Sequence, residues 1–222
     1  MRRIAFTLSL IALAGHAAAD TLDVLLEQPA LDRWMYPFNG SGGSRATMSV
    51  FGSDREVPTQ FDARDGQILL AFDTDLAIPS GGGLAGYDVK SAEVTLQVAN
   101  NLVFRLDPTA DAYTCFLPSA DARFTPDADA GQPVELYGVG FRGGWSASNF
   151  LENTVFANAG LSYISPGVRN AFAAQVDAQG VATDVSNNPR QGFQARAFAT
   201  GKVNGLANGY KNAMIPVSMP IH

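Results

Sequence analysis

The chain has 222 residues, 46% hydrophobic and 16% charged, with 22 Gly, 12 Pro, one Cys and two His. Its 14 Phe, 6 Tyr and 2 Trp exclude a disordered tail, and a formal charge of −6 argues against a nucleic-acid binder built on phosphate contacts. One cysteine makes neither an intrachain disulfide nor a Cys-rich zinc site, and His16 and His222 leave most histidine chemistry without a place.

The N-terminus reads as an export signal. Arg2 and Arg3 precede the apolar run Ile4 to Ala14, which is too short to cross a bilayer as a helix. Ala17 and Ala19 then stand in the A-x-A arrangement of a signal-peptidase site. Cleavage after Ala19 leaves one domain, residues 20–222, with 13 basic and 21 acidic residues and a net charge of −8. The expected location is the periplasm, cell surface or extracellular space. No later stretch approaches 18 uninterrupted apolar residues, so no transmembrane helix is expected.

Along the mature chain, period-2 alternation dominates. Trp34 to Phe38 carries three aromatics at spacing two, and Pro37 confines it to an edge or a strand start. Gln67 to Phe72 is a short apolar run that reads as a central strand buried on both faces. Glu93 to Val98 sets Val94, Leu96 and Val98 against Thr95 and Gln97, a strand with one buried face. Val134 to Val139, Gly192 to Phe198 and the Pro-interrupted Met214 to Met219 complete the strands. Asn149 to Asn158 and Arg169 to Val176 read as short helical turns. Gly- and Pro-rich clusters separate these elements. The expected fold is all-β: an antiparallel β-sandwich of jelly-roll type with long loops and little helix. An outer-membrane barrel fits less well, because the strands are irregular in length and interrupted by Pro.

Residues 107–133 hold Asp107, Asp111, Asp121, Asp127 and Asp129 among Ala and Pro with little periodicity, and read as a long surface loop. Within it, Asp127, Asp129 and the downstream Glu135 have a calcium-like spacing, with hard oxygen ligands alternating along an extended loop and Gly131 allowing a sharp turn. It lacks the remaining ligands of a full EF-hand loop, so solvated carboxylates are the competing reading. A structural Ca²⁺ is the one cofactor expectation. Asp62, Asp65, Asp73 and Asp75 make a second acidic group.

The segment Gly66 to Val98 carries Gly66-Gln67-Ile68-Leu69-Leu70-Ala71-Phe72-Asp73-Thr74, then Ile78-Pro79-Ser80-Gly81, then Lys90-Ser91-Ala92-Glu93-Val94-Thr95-Leu96-Gln97-Val98. This resembles the opening half of the DNRLRE-type (disaggregatase-related) carbohydrate-binding jelly rolls. Tyr137 to Val155 and Asp184-Val185-Ser186 resemble later stretches of that family. The resemblance implies a secreted β-sandwich attached to polysaccharide-active proteins or surface assemblies, and it assigns no ligand residues. The turn Gly81 to Gly86 and the loop 107–133 exceed the family's short connections. The last strand has no closing hairpin after it, which leaves either an exposed edge or a sheet lacking its closing strands.

Two G-x-G-x-x-G matches, at Gly81, Gly83 and Gly86 and at Gly138, Gly140 and Gly143, read as turns rather than dinucleotide loops: the first leads into another strand, and the second has no acidic ribose partner. Trp145, with Phe141, Arg142 and Asn149 nearby, is the candidate sugar-stacking platform, set against simple burial of the aromatic. Trp34, Tyr36 and Phe38 are a second aromatic candidate, with core packing the favoured alternative. Cys115 reads as a small buried apolar residue. Ser146 lies outside a G-x-S-x-G elbow and has no internal histidine to serve it. The expectation is therefore a non-catalytic module that binds polysaccharide or a surface or matrix component, without nucleic acid. A purely structural surface protein is the alternative. A polysaccharide-active enzyme fragment drawing carboxylates from Glu93, Glu135 and Glu152 ranks third.

Overall fold

The computed structural model describes residues 22–38, 42–44, 47–52, 56, 62–75, 77–79, 87–98, 105–203 and 215–221. The export signal expected at 1–19, the glycine cluster at 81–86 and both histidines lie outside the described residues.

Strands dominate. In chain order they are β1 (Leu31–Met35), β2 (Gln67–Ala71), β3 (Ala92–Val98), β4 (Leu106–Asp107), β5 (Gln132–Pro133), β6 (Glu135–Leu136), β7 (Gly138–Phe141), β8 (Ala171–Val176), β9 (Ala182–Asp184), β10 (Ala199–Thr200), β11 (Lys202–Val203) and β12 (Ile215–Ile221). Among the described residues the one α-helix, α1 (Asn188–Gln191), is a single turn closed by Gly192 in the left-handed conformation at φ +77°. The fold is all-β, and its sheets are small: β1-β2, β10-β6, β11-β12-β3, β4-β5 and β7-β8-β9.

The core lies between two of these sheets. Leu31 and Met35 of β1, Leu69 of β2 and Ala171 of β8 close on Phe150, Phe156 and Ala157 from the β7–β8 connection. Phe141, Trp145 and Val168 pack against that cluster. Alternation along β1 decides which side chains enter it. Leu31, Arg33 and Met35 share the inner face, while Asp32 and Trp34 point to the other. Arg33 is tolerated inside because its Nη1 donates to the carbonyls of Leu151 (3.1 Å) and Thr154 (2.6 Å).

Several expectations change. Among the described residues β2 pairs only with β1, so it is not seen as a central strand, and only its Leu69 is buried. β1 starts earlier than the aromatic run and ends before Tyr36. Arg169 to Val176 forms no helical turn. Ala171–Val176 is instead the middle strand of β7-β8-β9, apolar on both faces, a pattern that periodicity does not separate from a buried helix. Asn149 to Asn158 forms turns without helix. Val134 to Val139 splits into β6 and β7, which join different sheets. Gly192 to Phe198 keeps its alternation, with Ala195 buried between exposed Gln194 and Arg196, yet forms no ladder before Ala199. Side chains take the ladder's place: Gln194 Oε1 accepts from Tyr113 N (2.9 Å), and Arg196 N donates to Gln175 Oε1 (3.1 Å).

β12 is not an exposed closing edge; it is the middle strand between β11 and β3. Among the described residues, β11 pairs with Val217 and Ser218 of β12. The strands expected to be antiparallel include one parallel pair, β4-β5. Its connection, residues 108–131, is the acid-rich loop. That loop is packed rather than fully solvated, with Asp107, Asp111, Cys115 and Leu117 buried.

Candidate functional site

The β4–β5 connection gathers carboxylates. Asp107 ends β4, and the turn Asp107 to Thr109 folds back so that Asp107 Oδ1 accepts from Thr109 N and Thr109 Oγ1, both at 2.7 Å. Thr109 Oγ1 also lies 3.1 Å from Asp129 Oδ2 on the returning strand of the loop. Asp111 enters from the start of the short 3₁₀ turn Tyr113–Phe116, its carbonyl held by Gln194 Nε2 at 3.1 Å. Asp107, Asp111 and Asp129 each present a carboxylate oxygen, and these lie within 4.8 Å of one another. Asp107 is 2% exposed and Asp111 8%, while Asp129 reaches solvent.

Two carboxylate oxygens of these residues have no partner. Asp107 Oδ2 and Asp111 Oδ2 are enclosed and accept no hydrogen bond. A cavity of about 160 Å³ opens beside them, lined among others by Thr109, Asp111, Cys115, Asp127 and Asp129. Burial first, then the charges of Asp127, Asp107, Asp129 and Glu135, push the Asp111 carboxyl up to about 6. The Thr109 hydrogen bonds hold Asp107 below the ordinary carboxylate range, and its contact with Asp107 raises Asp129.

The sequence spacing places Asp129 in this cluster and Asp127 on the cavity wall. Glu135 is elsewhere: its Oε2 is paired with Arg64 Nη1, whose guanidinium also sits over Tyr137, 5.4 Å from the ring centroid. Asp107 and Asp111 complete the group instead. They stand 22 and 18 positions before Asp129, a separation that no local spacing rule reads. Of the second acidic group, Asp62 is matched by Arg169 at 2.7 Å and Asp73 caps the backbone of Asp75 at 3.0 Å, so neither faces a shared centre.

The aromatic candidates divide between interior and surface. Trp145 is half-buried against the core, edge-on to Phe150 at 6.0 Å, and its indole N–H donates to Asn158 Oδ1 at 3.4 Å. Phe141 packs on the same cluster. Arg142 is held by Asp184 and the Gly167 carbonyl and lies 4.1 Å from the Phe172 ring centroid. Asn149 is exposed but closes its own turn, with Oδ1 accepting from Ser146 N (2.6 Å) and Nδ2 donating to the Gly144 carbonyl (3.1 Å). These four therefore lie together, with their polar groups engaged within the chain.

On the outer side of β1 the aromatics form a continuous ladder. Trp34 stacks on Tyr36 at 4.7 Å, and Tyr36 meets Phe38 at 5.7 Å and Phe51 at 5.3 Å, both edge-on. Trp34 is buried and donates to the Ser49 carbonyl (2.8 Å), while Phe38 is 65% and Phe51 39% exposed. The ladder thus runs from the interior to solvent.

Of the carboxylates considered for glycoside hydrolysis, Glu93 is exposed on β3, Glu135 is bound to Arg64, and Glu152 Oε1 accepts from Asp32 N at 2.6 Å. Ser146 Oγ contacts Ser148 Oγ (2.9 Å) and Asn149 Oδ1 (3.1 Å), a turn network without a base. The second glycine motif is structural: Gly138 and Gly140 lie in β7, and Gly143 turns at φ +68°. Among the described residues, no helix is long and apolar enough to cross a membrane.

Comparison of the chain with known protein families, with curated proteins and with solved structures finds no match. The jelly-roll resemblance of residues 66–98 therefore rests on those residues alone, and its two strands, β2 and β3, belong to different sheets.

Proposed function

We propose that this chain is an exported, non-catalytic β-sandwich module of jelly-roll type that binds carbohydrate on a cell surface or in an extracellular assembly. The observation that carries the reading is the Trp34-Tyr36-Phe38-Phe51 ladder, which brings aromatic faces to solvent from a buried anchor. Pyranose rings have apolar faces, and a rigid aromatic surface binds them at little conformational cost. The leader-like first 19 residues and the resemblance at 66–98 support the same reading.

Affinity electrophoresis of the protein through gels containing neutral and acidic polysaccharides tests it. Retardation by at least one glycan is expected, weakened about tenfold in Phe38→Ala or Phe51→Ala, the loss of roughly one aromatic contact. Trp145→Ala, which removes a ring packed on the core, is expected to lower the melting temperature and leave retardation by the folded fraction intact. Unretarded migration through every glycan would sink the proposal.

A second reading, an assembly protein without a small ligand, is favoured by one feature. Leu151, Val155, Leu161 and Tyr163 are each between 46% and 67% exposed along a single connection. Apolar side chains gathered on one surface mark contact sites more often than solvated ones. Concentration-dependent association abolished by Leu151→Ser with Leu161→Ser would favour that reading.

A further inference from the structure

We propose that the β4–β5 connection is a calcium site whose protein ligands are the carboxylates of Asp107, Asp111 and Asp129, with Thr109 and Asp127 at its rim.

Two independent observations point to a bound cation. One is the convergence of three carboxylate oxygens within 4.8 Å, from positions far apart along the loop. The other is that Asp107 Oδ2 and Asp111 Oδ2 are enclosed without any hydrogen-bond donor. A buried carboxylate oxygen with no partner forfeits the hydration it had in the unfolded chain, and three carboxylates converging within 4.8 Å add mutual repulsion. Two other enclosed carboxylates are matched by cations, Asp62 by Arg169 and Glu135 by Arg64. Among the described residues, no Arg or Lys forms an ion pair with Asp107, Asp111 or Asp129. A metal cation held among the three carboxylates would offset that repulsion and supply the partner they lack.

The donor set selects the metal. All the donors are hard oxygens, which excludes a preference for soft-ligand metals. Three carboxylates on a loop, a hydroxyl at 3.1 Å from one of them and an adjoining cavity of about 160 Å³ with room for water suit the six to eight flexible ligands of Ca²⁺. The octahedral demand of Mg²⁺ suits them less. Three protein carboxylates with the rest of the shell open to water belong with the weaker extracellular class of sites, with dissociation constants of about 10⁻⁴–10⁻³ M.

The test uses the full chain, stripped with EGTA and then titrated with CaCl₂ by calorimetry and thermal melting. One Ca²⁺ per chain is expected, with the melting temperature rising about 3–10 °C at about 10 mM CaCl₂. Asp111→Asn is expected to remove the response. Asp129→Asn, at an exposed position, is expected to weaken binding at least about tenfold and keeps the test open if Asp111→Asn does not fold. Asp73→Asn, outside the cluster, should respond as the parent does. Absence of heat and of any melting shift would overturn the proposal, as would a calcium response unchanged in Asp129→Asn. An equal response to MgCl₂ would overturn the assignment to calcium.

Discussion

Arg169 is 2% exposed and its Nη1 lies 2.7 Å from Asp62 Oδ2. Asp62 Oδ1 takes the Gly167 N–H at 2.9 Å, Arg169 Nη2 donates to the Asp65 carbonyl, and the guanidinium lies 5.6 Å from the Phe156 ring centroid. Burial pushes the Asp62 carboxyl up and the Arg169 guanidinium down, and outweighs the pull of each on the other. The pair is therefore a joint between segment 62–65 and the entry to β8 rather than a large net source of stability. Arg169→Met or Asp62→Leu alone is expected to cost about 3–5 kcal/mol, because each strands a buried charge. The double variant is expected to lose less than either single one in urea denaturation; additive losses would show that the charges do not compensate each other. Asp121 is the exposed counterpart. Arg123 donates to it through Nη2 (2.8 Å), Nε (3.0 Å) and its backbone N–H (2.9 Å), which holds the carboxyl at about 2 against an ordinary 3.8. A depressed carboxyl contributes above its unfolded value and loses that contribution as the pH falls through about 2. Carbon-detected NMR is expected to follow Asp121 to a midpoint near 2, and Arg123→Ala to return it toward 3.8.

At the scale of the element, β7 shows why some patterns were legible and others were not. Its glycines read from sequence as non-nucleotide positions, and the reason is now visible. Gly140 stands directly opposite Phe172 on β8, and a methyl group there would overlap the Phe172 ring, over which the Arg142 guanidinium also lies. Gly144 is the converse case, at φ +85° with open space around its would-be side chain. Gly140→Ala should therefore cost about 1–3 kcal/mol through overpacking, and Gly144→Ala about 1 kcal/mol through backbone strain alone. Denaturant midpoints in the reverse order would mean that the Phe172 ring has room to move. Alternation was legible wherever one face of a strand is buried, as in β3, where Val94 and Leu96 are half-buried and Glu93 and Thr95 exposed. It failed at β8, where Ala171, Phe172 and Ala174 are buried together and the Ala-rich run favours helix locally. Sheet membership overrode that preference. The acidic cluster was half legible for a related reason: Asp127 and Asp129 are neighbours in sequence, whereas Asp107 joins them only because β4 and β5 pair in parallel and return the loop to its start.

At the scale of the whole molecule, the small sheets matter less than what lies between them. The core joins β1 and β2 to β8 through Leu31, Met35, Leu69 and Ala171, and the β7–β8 connection fills it with Phe150 and Phe156. The β1-β2 pair does not stand alone, since a two-stranded hairpin is at best marginal in water, and the β7-β8-β9 sheet shares its buried face with it. The two sheets are therefore expected to unfold as one unit. The chain's two tryptophans report on it from different places: Trp34 on the outer face of β1, Trp145 against the core from the β7 side. Trp145→Phe leaves Trp34 as the reporter, and Trp34→Phe leaves Trp145. For each single-tryptophan protein, the fluorescence midpoint in urea should coincide with that protein's own midpoint by circular dichroism. Met35→Ala, at 1% exposure in the middle of the cluster, should lower both fluorescence midpoints together, by about 2–5 kcal/mol in stability. A variant in which the Trp34 signal moves and the Trp145 signal does not would divide the core in two, and with it the rigid base from which the aromatic ladder of β1 reaches solvent.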